Sequence, residues 1–169
     1  MKRETVEQVT RALNAAGVPY LAVGGLAVIA HGYGRTTRDI DLVIRLQPAV
    51  IEAAFKALAA LGYHPRVPIT AEGFADPGQR ARWIAEKGMR VLSFASDQHP
   101  GTAVDVFVTE PFDFQEELGR AMTVHLAPGV PMRIVHLETL LRLKREAGRP
   151  QDLADIAELR LLHGGESRG

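Results

Sequence analysis

The chain of 169 residues contains no cysteine, which excludes disulfide bridges, thiolate metal sites and a cysteine nucleophile together. It has no excess of one charge either, because 20 basic residues balance 20 acidic ones. Any nucleic-acid partner would therefore have to meet a local patch. No apolar run approaches the ~20 residues that a membrane-spanning helix needs, and the first 17 residues are patterned as an amphipathic helix rather than a signal peptide. We expect a cytoplasmic protein with no membrane partner.

Hydrophobic residues make up 46% of the chain and charged residues 24%, which is typical of a globular domain with a proper core. The sequence predicts one domain over residues 1–169, of α+β class, with a mixed β-sheet flanked by helices and a C-terminal helical pair at about 137–164. The predicted helices cover 3–16, 48–61 and 113–121, with a short one after Gly25. The predicted strands cover 18–25, 39–46, 89–96 and 102–110, with edge strands at 122–126 and 132–136. Residues 63–79 are predicted to be hairpin-like or irregular.

Two carboxylates alternate with apolar residues in the strand-like run DIDLVI. Because side chains alternate across a strand, Asp39 and Asp41 should share one face while Ile40 and Leu42 face the core. Without a counter-charge the two carboxylates would repel each other, and one would be forced to take up a proton. A divalent cation removes that difficulty, and Mg²⁺ prefers one or two carboxylates together with waters and substrate phosphates. A charge pair facing water at the sheet edge is the simpler alternative.

Two further features favour a site over that alternative. Asp105 interrupts the apolar strand TAVDVFV and, on the same sheet face, would complete a carboxylate triad. Gly24 and Gly25 stand between a strand and a short helix, where backbone N–H groups and the helix dipole favour anions such as phosphate.

Val23-Gly24-Gly25, thirteen intervening residues, Asp39-Ile40-Asp41-Leu42 and the later Asp105 resemble the signature of the nucleotidyltransferase superfamily with a polymerase-β-type catalytic core. The segments GRTTRDIDLVI and LLRLKREAGRPQDLADIAEL further resemble its small prokaryotic stand-alone branch, which includes relatives of the abortive-infection toxin AbiEii. The resemblance spans residues 20 to about 160, and its first half is the stronger.

The resemblance implies that two Mg²⁺ ions lie on Asp39, Asp41 and Asp105, and that Asp105 also acts as or assists the base for an attacking hydroxyl. Gly24 and Gly25 would hold the β and γ phosphates of a nucleoside triphosphate such as ATP. The activity implied is transfer of a nucleoside monophosphate to a hydroxyl acceptor, which is RNA, a protein or a small molecule. A toxin-antitoxin or phage-defence setting, with a cognate antitoxin protein as partner, is a hypothesis that follows from the same likeness.

Three further residues are candidates for nucleotide binding. Arg35 precedes the acidic pair and could clamp a phosphate, or pair with a carboxylate instead. Thr37 is expected on the same strand face as Asp39, where it could reach the site or simply suit a strand. Lys144 falls on an apolar helix, and in similar proteins a lysine from such a helix reaches back to the phosphates; a surface lysine is the alternative.

The roles of Arg38, Arg149, Asp152 and Asp155 stay open at this point, since carboxylates at a helix start are favoured by the helix dipole alone. The cluster of Trp83 with Arg80, Arg82 and Lys87 could contact an RNA base, although a solvated helix face is the simpler interpretation. Two alternatives to transfer remain. One is a non-catalytic module that binds nucleotide or a partner, and the other is a metal-dependent phosphoesterase.

Overall fold

Seven strands form one mixed sheet in the computed structural model, which describes residues 1–164. The strands are Tyr20–Val23 (β1), Ile40–Ile44 (β2), Tyr63–Pro65 (β3), Val91–Ser96 (β4), Val104–Phe107 (β5), Met122–His125 (β6) and Pro131–Ile134 (β7). They lie in the order β3-β4-β5-β2-β1-β7-β6, and the pairs β2–β5 and β1–β7 are parallel while the others are antiparallel. The predicted α+β class with a mixed sheet is confirmed.

Helices flank the sheet, and the last two form the predicted C-terminal pair. They are Arg3–Ala15 (α1), Gly24–Ala30 (α2), Pro48–Ala60 (α3), Ala71–Ala75 (α4), Pro77–Lys87 (α5), Phe114–Arg120 (α6), Leu137–Ala147 (α7) and Pro150–Gly164 (α8). Proline begins α3, α5 and α8, where its missing N–H has no helical partner to lose. Across residues 1–164, none of the helices has the length and apolar character to cross a membrane.

The two faces of the sheet are covered differently. On β4, Leu92 and Phe94 are buried while Val91 and Ser93 are half-buried. Phe55 of α3 packs edge-on against Phe94, with ring centroids 5.1 Å apart, so α3 covers the buried face. The opposite face of β4 and β5 is less covered. Because that face also carries the acidic residue of β5, the fold leaves the candidate site accessible.

Two local predictions were wrong. Residues 63–79 are not irregular: they contain β3, α4 and the start of α5, whose N-cap carboxylate, Asp76, accepts hydrogen bonds from the N–H groups of Gly78 and Gln79. The Asp76-Pro77 step is a readable helix start that the abundance of Pro and Gly obscured. The strand predicted at 132–136 is not at an edge either. It lies between β1 and β6, because Ile134 pairs in parallel with Ala22.

Candidate active site

Asp41 and Asp105 lie side by side on neighbouring parallel strands. Asp41 of β2 pairs with Asp105 of β5 in the register of the two strands, and Asp39 directly precedes β2. Burial, together with the charges of Asp105 and Asp39, raises the pKa of Asp41 to about 6. Burial raises the pKa of Asp105 as well, and the charge of Asp39 adds to that effect. The charges of Asp105 and Asp39 therefore make ionisation of Asp41 harder, and the charge of Asp39 does the same for Asp105.

A divalent cation would relieve this repulsion. Within residues 1–164, no three acidic or histidine side chains stand close enough together to hold a metal ion as they are placed. The chemistry of the donor set nevertheless fits Mg²⁺, because two adjacent, partly buried carboxylates form no ion pair with a basic side chain of residues 1–164.

Positions 24 and 25 require glycine, because the side chains of Asp41 and Thr37 pack directly against them. Gly24 has φ +63°, and a Cβ atom there would lie 2.8 Å from Cγ of Asp41. A Cβ atom on Gly25 would lie 2.7 Å from Cβ of Thr37. Both distances are shorter than any tolerable carbon–carbon contact, so the glycine pair lets Asp41 and Thr37 approach the start of α2.

Thr37 lies in the loop between α2 and β2, not on the strand as predicted, because β2 begins only at Ile40. Its hydroxyl makes a long hydrogen bond of 3.5 Å to the carbonyl of Asp39. The Thr37 side chain occupies the space that a side chain on residue 25 would need. It is thus held beside the glycine pair by local packing.

Arg35 joins the same loop to the last helix. Its Nε and Nη2 atoms lie 2.8 and 2.9 Å from the two carboxylate oxygens of Asp155, and its Nη1 donates to the carbonyl of Thr36 at 2.8 Å. Asp155 is fully buried. Pairing with a carboxylate, the alternative stated for Arg35, is therefore what the structure contains, and contact with a nucleotide stays a prediction.

Lys144 is 5% exposed and paired with two carboxylates of α8. Its Nζ atom lies 3.0 Å from Oδ1 of Asp152 and 2.7 Å from Oδ2 of Asp155. Burial acts to raise the pKa of both carboxyls. Hydrogen bonds outweigh it, from Arg149 and Lys144 to Asp152, and from Lys144, Gln151 and Arg35 to Asp155, so both pKa values lie below the ordinary range. Lys144 is therefore not a surface lysine.

A cleft of about 550 Å³ brings some of these groups together, but the residues that line it do not include Gly25, Arg35, Thr37 or Asp39. Gly24, Asp41, Asp105, Lys144 and Arg149 line its polar part. Its apolar part is lined by Ile84, Met89, Phe107, Pro111, Leu140 and Leu143. A cleft of this size, lined by both charged and apolar side chains, can take a nucleotide-sized ligand. A second cavity, of about 330 Å³, lies elsewhere, beside the start of α1.

Sequence reasoning missed Ser93, which is the register partner of Asp105 on β4. Its hydroxyl donates to Oδ1 of Asp105 at 2.5 Å, and this bond counteracts the burial that raises the pKa of Asp105. The signal was present in the sequence: Ser93 alternates with Leu92 and Phe94, so strand periodicity places it on the carboxylate face.

One residue of the predicted basic cluster around Trp83, Arg80, is not on the surface. Arg80 is buried and donates to the carbonyl of Phe74, whose ring lies 5.9 Å from its guanidinium carbon. Arg80 is therefore part of the packing of α5 on α4 and is not available to contact RNA.

Solved structures with similar folds are known. The crystal structure of ANT(2'')-Ia in complex with adenylyl-2''-tobramycin superposes with a TM-score of 0.61 and 13% identity, covering 98% of this chain and 91% of that one. The solution structure of the antibiotic-resistance factor ANT(2'')-Ia gives 0.56 at 14% identity, covering 98% and 88%. JHP933 from Helicobacter pylori gives 0.54 at 15% identity, covering 95% and 67%.

These likenesses give the chain a nucleotidyltransferase fold. At 13% to 15% identity they show the fold alone. No protein-family model matches the chain, and no curated protein matches its sequence.

Proposed function

We propose that the chain is a Mg²⁺-dependent nucleotidyltransferase that moves a nucleoside monophosphate from a nucleoside triphosphate to a hydroxyl acceptor. The observation that carries the proposal is the register of Asp41 with Asp105 beside Gly24, which brings two carboxylates and a glycine of the turn together in the lining of one cleft. Asp39 stands next to that pair. With two Mg²⁺ ions on these carboxylates, the metal would neutralise the triphosphate and favour departure of pyrophosphate in an in-line displacement.

The chain's own residues would bind and orient the nucleotide. In this proposal the β and γ phosphates lie against Gly24 and Gly25. Many superfamily members have serine at the second glycine position, and here the Thr37 hydroxyl, packed beside Gly25, would supply that donor. Two of the three N–H donors of Lys144 face Asp152 and Asp155, which leaves one for a phosphate oxygen.

Asp105 would accept the proton of the acceptor hydroxyl. The hydrogen bond from Ser93 fixes Oδ1, and Oδ2, which accepts no hydrogen bond within residues 1–164, would face both the metal and the acceptor. In-line displacement requires the acceptor to approach from the side opposite the leaving pyrophosphate. With the phosphates at the end of β1, the acceptor would approach over β4, whose face on this side is only half-buried.

The identity of the acceptor and the biological setting are more specific parts of the proposal. The ANT(2'')-Ia complex contains an adenylyl group joined to tobramycin, which supports ATP as the nucleotide here and keeps a small molecule among the acceptors. RNA or protein acceptors, membership of the AbiEii-related branch and an antitoxin partner rest on the sequence segments quoted above.

Incorporation of labelled nucleotide tests the proposal. The purified protein would be incubated with Mg²⁺, each α-labelled nucleoside triphosphate in turn, and total cell extract, and the products separated on a gel. We expect one class of macromolecule or small molecule to become labelled, and Asp41→Ala to abolish the labelling with its circular dichroism unchanged. Asp97→Ala, which removes an exposed carboxylate after β4, is the matched control. Equal labelling by wild type and Asp41→Ala would refute the proposal.

One observation favours a second candidate, nucleotide binding without transfer. The three carboxylates, as placed within the described part of the chain, do not yet form a metal-holding group. Turnover separates the two candidates: pyrophosphate release that depends on an added acceptor indicates transfer, whereas binding with no release indicates a binding module. Release of inorganic phosphate or pyrophosphate without an acceptor would indicate a phosphoesterase.

A further inference from the structure

Arg149 is an exposed arginine that a buried carboxylate holds in one orientation. It stands between α7 and α8, and its side chain is 73% exposed while that of Asp152 is 2% exposed. Its Nε donates to Oδ2 of Asp152 at 2.7 Å, its Nη2 to Oδ1 at 3.3 Å, and its backbone N–H to Oδ2 at 3.2 Å. Most exposed arginines lose side-chain entropy when they are fixed and gain little from a surface ion pair. Here two contacts from the guanidinium and one from the backbone N–H of the same residue tie Arg149 to one buried carboxylate.

Counted as charges alone, the buried carboxylates beside Arg149 are balanced without it. The two buried carboxylates, Asp152 and Asp155, are already matched by two cations: Lys144 contacts both, and Arg35 contacts Asp155. Arg149 is a third cation against two anions, so this group carries one surplus positive charge. Neutralisation of the two buried carboxylates therefore accounts for Lys144 and Arg35, whereas Arg149 adds hydrogen bonds to Asp152 and a further positive charge.

That surplus charge faces the cleft. Arg149 lines the same cavity as Gly24, Asp41 and Lys144, and its charge acts on Asp41, where it opposes the burial that raises the pKa of that carboxyl. A guanidinium has five N–H donors, and Asp152 occupies two of those on Arg149. The remaining donors form a planar fork, the geometry that suits two oxygens of one phosphate group.

We infer that Arg149 binds the triphosphate of the nucleotide from the helical side of the cleft, and that Asp152 is its positioning residue. The inference rests on the proposed function for the identity of the ligand. The triphosphate then lies between the glycine turn on one wall and the pair Lys144 and Arg149 on the other. Asp152 holds both cations at one oxygen, with Lys144 Nζ at 3.0 Å and Arg149 Nη2 at 3.3 Å from Oδ1.

Binding measurements test the role of Arg149. The full chain would be titrated with fluorescently labelled ATP and, separately, with labelled AMP, both in the presence of Mg²⁺. Arg149→Gln should weaken ATP binding by about 10- to 100-fold, the loss expected for hydrogen bonds to a charged group. AMP binding should change far less. Arg145→Gln, which removes an exposed charge from the last turn of α7, is the matched control and should change neither affinity. Equal losses for ATP and AMP, or no loss for ATP, would overturn the inference.

The positioning role of Asp152 has its own readout. Asp152→Asn should lower the ratio of ATP affinity to AMP affinity, as Arg149→Gln does, and the double variant should lower it no further, because the two side chains act as one unit. A purely structural role would reduce both affinities together. Arg149→Lys should restore part of the ratio, since it keeps the charge but not the fork. Additive losses in the double variant, or a ratio that Asp152→Asn leaves unchanged, would count against the positioning role.

Failure of this inference is distinguishable from failure of the proposed function. If the wild type binds ATP more tightly than Arg149→Gln does but labels no acceptor, the inference is supported and nucleotidyl transfer is refuted. If Arg149→Gln transfers label with the wild-type KM for the triphosphate, transfer stands and the inference falls. If the wild type binds no nucleotide, both fall.

Discussion

Replacing Asp41 by asparagine should stabilise the metal-free protein, although it removes a proposed metal ligand. The carboxylate is partly buried and faces Asp105 and Asp39, and burial together with these two charges raises its pKa to about 6. An amide has nearly the same shape and carries no charge. Asp41→Asn therefore removes the repulsion between residue 41 and the other two carboxylates. In this account that repulsion lowers stability and is kept because the carboxylates serve the proposed function.

The magnitude follows from the pKa. An unperturbed aspartate has a pKa of about 3.9, so the folded protein binds the Asp41 proton more tightly than the unfolded chain by about 3 kcal/mol. The stability that this proton contributes is complete below about pH 4, falls as the pH rises through 6, and is absent above it. The gain from Asp41→Asn should therefore approach about 3 kcal/mol at pH 8, which is an upper bound because solvent screens a partly exposed group, and disappear near pH 4.

Urea unfolding, followed by circular dichroism in the presence of a chelator at pH 8 and pH 4, measures this gain. Asp97→Asn serves as the exposed control and should change little at either pH. Addition of Mg²⁺ should then stabilise the wild type at pH 8 but not Asp41→Asn, because binding to the folded state alone raises stability. The reasoning is refuted if Asp41→Asn is less stable than the wild type at pH 8 without metal, or if its gain does not depend on pH.

Three further variants test separate parts of the account. Gly25→Ser should cost about 1–3 kcal/mol in urea unfolding, because its Cβ would stand 2.7 Å from Cβ of Thr37; wild-type stability would contradict the close packing. Ser93→Ala removes the hydroxyl that opposes the raised pKa of Asp105, so the acidic limb of the pH–rate profile should move to higher pH, and an unmoved limb would argue against Asp105 as the base. Glu117→Gln weakens a buried acceptor whose oxygens take hydrogen bonds of 2.9 and 2.8 Å from the start of α7; we expect a loss of about 1–3 kcal/mol with unchanged ATP affinity, and no loss would contradict that role.

The carboxylate face could be predicted because it depends on neighbours in sequence. Strand alternation places Asp41 and Leu42 on opposite faces of the sheet. The same rule separates Asp105 from its neighbours in β5. Some helix limits could also be predicted from the sequence. Pro48 marks the start of α3 and Gly148 the end of α7, and both depend on local backbone chemistry alone. These features need no knowledge of the tertiary fold.

The partners of the candidate side chains could not be predicted in the same way. Arg35 and Asp155 are 120 residues apart, and only the docking of α8 against the loop after α2 brings them together. The packing of Thr37 against Gly25 likewise depends on the path of a loop, which has no periodicity to read. The parallel pairing of β7 with β1 is non-local too, and for that reason the sequence favoured an edge position for β7.

Anomalous diffraction from crystals grown with Mn²⁺ and a non-hydrolysable ATP analogue is the most direct test of the central claim, that Asp39, Asp41 and Asp105 hold divalent cations beside a bound triphosphate. Mn²⁺ accepts the same oxygen ligands as Mg²⁺ and can be located by its anomalous signal. The account predicts at least one Mn²⁺ peak between Asp41 and Asp105, with the analogue's phosphates between Gly24 and Arg149. Ordered analogue in the cleft with no Mn²⁺ at either carboxylate would contradict it.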